Sequence, residues 1–216
     1  MNTFNEKPSP QEVLENLLQG NNRFIEGKPN HPHVNVERRK LASCASQANF
    51  AVATVLSCSD SRVPPEIIFD CGIMDLFVVR LAGNVLSECA LASIEYGVIH
   101  VNTPLLLVIA HSQCGAITAV VDEFLKSNDG SPPKNQSEPN IQKLLNLLAP
   151  TVNETCKCNN NLPKEELVNL SAKGNAKNIV EQILKLSPGI RELHNNGTIK
   201  IVPTFYELET GRVHLI

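Results

Sequence analysis

A chain of 216 residues with 42% hydrophobic side chains is long enough to bury a core without cross-links, and its formal net charge of -3 leaves no basic footprint for nucleic acid. Its seven cysteines are odd in number and scattered, which excludes the dense, even spacing of a small secreted disulfide scaffold and fits a reducing, cytoplasmic setting. The first ten residues show neither a basic stretch nor an apolar run, and the longest apolar stretch, 104–110, is far too short to cross a bilayer, so neither a secretory signal nor a membrane partner is expected.

Ser9-Pro10-Gln11-Glu12 is a capping box with proline at the first helical position. Val13, Leu14, Leu17, Leu18, Phe24 and Ile25 then recur on one face, which predicts an amphipathic helix over 10–26 whose stripe packs either on the chain's own sheet or on another subunit. A second helix is expected over 36–47. Strands follow at 50–57, 75–80 and 105–110, with a helix over 87–101 between the last two and another from Cys114 to about residue 126. Residues 127–140, rich in Ser, Pro, Asn and Gly, read as a surface loop. Helices are expected at 141–148, 165–186 and 188–195, a fourth strand at 198–206, and a C-terminal edge strand over 212–216 after the Thr210-Gly211 turn. This alternation is that of an α/β protein with a mainly parallel sheet flanked by helices. The chain reads as a single domain over 1–216, a helical arm at about 10–47 preceding an α/β core at about 50–216.

Two of these strands end in metal-type donors. The first runs into Cys58-Ser59-Asp60-Ser61-Arg62, and the third into His111-Ser112-Gln113-Cys114-Gly115. In a parallel sheet the C-terminal strand ends form the ligand-binding edge. Cys58 and Asp60 stand two apart, so an extended segment points both side chains one way. Cys114 opens a helix, where the dipole favours a thiolate, and Gly115 lets backbone approach a bound substrate. Two thiols, an imidazole and a carboxylate suit zinc better than magnesium, calcium or copper(II).

The other candidates are weaker. His31-Pro32-His33 reads as a solvated loop, Cys156 and Cys158 as surface thiols, and Cys44, Cys71 and Cys89 as packing residues. His100 and His194 are expected at helix ends.

The Cys-x-Asp-x-Arg and His-x-x-Cys pair resembles the β-class carbonic anhydrases. The stretches 62–70, 75–80, Ala82-Gly83-Asn84, 93–97 and 206–211 are similar to the same family, so the likeness extends from about Arg23 to the end. The resemblance implies a sheet in the order 2-1-3-4 and reversible hydration of carbon dioxide to bicarbonate by zinc-bound hydroxide. It further implies Cys58, His111 and Cys114 as zinc ligands, with Asp60 either the fourth ligand or paired with Arg62, and a homodimer or homotetramer. Relatives acting on carbon disulfide or carbonyl sulfide supply a second reading, and a structural zinc protein closed by Asp60 a third. Where the bicarbonate-regulated subgroup has tryptophan, this chain has Val55, so regulation of that type is not expected.

Overall fold

The computed structural model describes residues 7–127 and 137–216, so most of the loop read at 127–140 lies outside the described residues. Five strands, β1 (Ala53–Ser57), β2 (Leu76–Arg80), β3 (Leu105–His111), β4 (Lys200–Tyr206) and β5 (Val213–Leu215), form one sheet in the order β2-β1-β3-β4-β5. The first four are parallel, and β5 runs antiparallel to β4 at the edge. The central strand shows why. Leu105, Leu107 and Ile109 enter the core on one face and Leu106, Val108 and Ala110 the core on the other, all at most 1% exposed. A strand apolar on both sides is stable only where both sheet faces are covered.

One face is covered by α1 (Pro10–Ile25) and the short α3 (Pro65–Ile68). The capping box is formed, with Glu12 accepting from Ser9 N at 2.8 Å. Val13, Leu14 and Leu17 are buried with Val55 and Leu107, so this part of the α1 stripe packs on the chain's own sheet. Asn21 fixes its position: Nδ2 donates to Ile68 O (3.2 Å) and Gly211 O (2.8 Å), and Oδ1 accepts from Val213 N (2.9 Å). Helix α2 (Val36–Ala42) buries none of its residues.

The other face is covered by α4 (Glu88–Glu95), α5 (Gly115–Ser127), α6 (Pro139–Cys158), α7 (Lys164–Leu186) and α8 (Pro188–Asn195). Three expectations are corrected here. The helix read at 141–148 continues to Cys158 through Pro150, because Val152 and Cys156 bury fully and their packing outweighs the hydrogen bond that proline removes. The helix read at 87–101 becomes π-helical over Tyr96–His100, where Gly97 lies so close to β1 that a Cβ would stand 2.4 Å from Thr54 Oγ1. The helix read at 36–47 stops at Ala42, and a separate 3-10 turn covers Gln47–Asn49.

Candidate metal centre

The connection leaving β1 passes over one sheet face through α3, and the connection leaving β3 passes over the other through α5, so a crevice opens where their C-terminal ends lie side by side. Cys58 follows the last residue of β1, His111 is the last residue of β3, and Cys114 directly precedes α5. Their ligand atoms lie within 4.8 Å of one another, and all three residues are buried.

Each donor is aimed from behind. The His111 Nδ1 faces Ser112 O at 2.9 Å, and since a carbonyl only accepts, Nδ1 carries the proton and Nε2 keeps its lone pair. That Nε2 is buried without a hydrogen-bond partner. Cys58 Sγ accepts from Gly83 N at 3.2 Å and more weakly from Asp60 N at 3.5 Å. A hydrogen bond from Cys114 pulls the Cys58 thiol down to about 4, and the same bond together with burial pushes Cys114 up. The amides of Ala116 and Ile117 at the opening of α5 act on Cys114 in the opposite sense. Two buried thiols thus converge beside an orphaned imidazole nitrogen. A cation held among them would meet two sulfur donors and a neutral imidazole, so the residues present fit a metal ion.

Asp60 stands beside this group, its Oδ2 4.0 Å from His111 Nε2. Arg62 takes both carboxylate oxygens, Nε to Oδ1 at 3.0 Å and Nη2 to Oδ2 at 2.7 Å, and its backbone N–H adds a third bond to Oδ1 at 2.9 Å. This pairing holds the Asp60 carboxyl well below the usual carboxylate range. Arg62 Nη2 also reaches Gln113 O at 3.3 Å, so one guanidinium ties together the two ligand-bearing turns. Beside Gly115 there is open space: a Cβ there would meet nothing within 4 Å.

Some supporting residues had no individual signal in the sequence. Arg80 donates to Cys58 O (3.0 Å) and Asp60 O (2.6 Å), and Asn169 accepts from Gln113 N (3.4 Å), whose φ of 54° is left-handed. Only the place of Arg80, at the C-terminal end of β2 on the ligand edge, could have pointed to it. Of the weaker candidates, His33 pairs with Asp75 at 2.7 Å, and Cys158 is exposed as read. Cys156 is buried in α6 rather than on the surface, and Cys44 and Cys89 are exposed rather than packed. Burial pushes the Cys71 thiol up to about 12. A cleft of about 620 Å³ lined by Lys7, Arg23, Arg38 and Asp75 touches none of the three donors.

The family model described as carbonic anhydrase matches residues 53–213. Carbonic anhydrase 2 of Mycobacterium tuberculosis is 33% identical over 210 residues, covering 96% of this chain and 93% of its own. A carbonic anhydrase of Mycolicibacterium smegmatis matches with the same identity and coverage. Among solved structures, a tetrameric β-carbonic anhydrase of Sordaria macrospora superposes with a TM-score of 0.69 at 24% identity, over 95% of this chain and 97% of that one. One from Aspergillus fumigatus gives 0.70 at 18% identity, over 95% and 90%. The parallel sheet is thus shared with β-carbonic anhydrase structures, and in this chain two thiols and an imidazole stand at its switch point. The chain belongs to the carbonic anhydrase family, in its β class.

Proposed function

We propose that the protein catalyses the reversible hydration of carbon dioxide to bicarbonate and a proton, with one zinc ion held by Cys58, His111 and Cys114. The observation that carries this reading is the buried, partnerless Nε2 of His111 converging with two thiols while Arg62 occupies both oxygens of Asp60. Zinc held there supplies Lewis acidity that brings the pKa of a water molecule toward neutrality. Asp60, held by Arg62, accepts the O–H of the attacking oxygen and turns its lone pair toward the carbon. Gly115, exposed next to Cys114 with open space beside its α-carbon, leaves room for a small substrate to approach. Engagement of Asp60 by Arg62 speaks against a structural zinc site closed by that carboxylate.

Stopped-flow measurement of carbon dioxide hydration on purified protein, with metal quantified, tests the reading. One zinc per chain and rapid hydration are expected, with Cys114→Ser losing both. Protein without zinc, or full zinc retention in Cys114→Ser, would overturn it; hydrolysis of carbon disulfide without hydration would transfer the site to that substrate.

The protein is further proposed to assemble with itself. β2 is an edge strand whose Leu76, Phe77 and Val78 are only half-buried, and Tyr96, tilted against Phe77 with 5.9 Å between ring centroids, is 52% exposed. An apolar edge of this kind calls for a cover, and a second copy of the chain is the occupant proposed.

A further inference from the structure

Beyond β2 the chain turns through Ala82-Gly83-Asn84, with Gly83 in the left-handed region at φ 66°. The turn presents the Gly83 amide to the Cys58 sulfur at 3.2 Å. No side chain caps this turn from its N-terminal side. Its support comes instead from α7, where Asn175, 3% exposed, donates Nδ2–H to Gly83 O at 3.2 Å across 92 positions of sequence. The α-carbon of Gly83 is hemmed in as well: a Cβ would stand 3.0 Å from Leu148 Cδ1 and 3.1 Å from Ala116 Cβ. Gly83 is therefore held on both sides of its own residue, with its N–H aimed at the Cys58 sulfur and its carbonyl gripped by a buried amide.

An N–H donor on a thiolate draws electron density from the sulfur and reduces what the sulfur gives to a metal. A donor set with two thiolates has charge to spare, so restraint on either one leaves the metal a stronger Lewis acid. The geometry points to Asn175 as a positioning residue: through Gly83 it keeps an amide on the Cys58 thiolate and limits the charge that sulfur donates. This deepens the proposed function, since it rests on Cys58 being a metal ligand.

The test replaces the metal with spin-active cadmium in the full-length protein and records scalar couplings by NMR. Wild type should show coupling from cadmium to the Cys58 and Cys114 methylene protons and, through the hydrogen bond, to the Gly83 amide proton. Asn175→Ala should weaken the amide coupling and, in the zinc form, lower kcat roughly tenfold with KM unchanged. Ala176→Gly removes a fully buried methyl from the next position of α7 and should change neither readout. Absence of coupling to either cysteine sinks the ligand reading itself. Coupling to both cysteines but not to the Gly83 amide overturns the present inference alone, as would an Ala176→Gly variant that loses kcat as Asn175→Ala does. Should Asn175→Ala not fold, Asn175→Asp, which keeps the size but loses the Nδ2–H donor, gives the same two readouts, and an unchanged Gly83 amide coupling in either variant overturns the inference.

Discussion

At the scale of single residues, the proposed function gives Asp60 and Arg62 control over what the three donors can accomplish. Released from Arg62, the Asp60 carboxylate lies near enough to His111 Nε2, 4.0 Å, to compete for the metal's remaining position. Arg62→Ala should therefore depress hydration by about 100-fold or more while zinc content stays at wild-type level. Asp60→Asn keeps the three donors but exchanges the charged acceptor for an amide, and a comparable fall in kcat is expected, again without loss of metal. Stopped-flow rates paired with metal analysis check both. Near wild-type turnover in either variant at full zinc occupancy would reduce the pair to a structural ion bridge.

Among the elements, α1 and the turn before α2 are fastened by buried polar groups. Asn21→Leu would strand two backbone carbonyls and the Val213 amide, so a loss of about 3 kcal/mol in urea denaturation is expected, with faster hydrogen exchange at Val213. Asp70 fastens the neighbouring turn. Burial alone would raise its carboxyl, but hydrogen bonds from Asn30 N, Arg23 and His31 N outweigh it and hold the group below its ordinary value of 3.8. A carboxyl lowered in the fold stabilises the protein above its unfolded value, and that contribution is lost as pH falls through the folded value. Asp70→Asn should thus be less stable at about pH 6 yet lose less than wild type on going to about pH 3, as urea midpoints at the two pH values would show.

These elements differ in how far they could be read in advance. α1 was legible because cap, proline and apolar period agree locally, and β3 because an unbroken apolar run ends in a donor. α6 beyond Pro150 and the π-helical turn at Tyr96 were not, since tertiary packing decides them. The same division runs through the site. Cys58, His111 and Cys114 stand at strand ends and declare themselves by spacing, whereas the Asn175 bond to Gly83 joins residues far apart in sequence and leaves no local trace.

For the molecule as a whole, the proposed self-assembly turns on the half-covered edge at β2. Light scattering at micromolar concentration should return a dimer or larger, and Tyr96→Glu, which places a charge on an exposed side chain without disturbing the core, should shift it toward monomer with an unchanged circular dichroism spectrum. A wild-type monomer would remove the proposed cover from this edge.

The Asn21 fastening also constrains how the protein is made. Its partners Gly211 and Val213 lie 190 and 192 positions downstream. A ribosome adding roughly 5–20 residues per second needs roughly 10 to 40 s to cover that distance. Of the three partners of the Asn21 side chain, Ile68, 47 positions downstream, is the first to be made. The nascent chain thus trails an amphipathic helix whose last lock cannot close until Gly211 and Val213 have been made. Polypeptides aborted before Gly211 would keep that lock open, marking unfinished copies for chaperones and proteases.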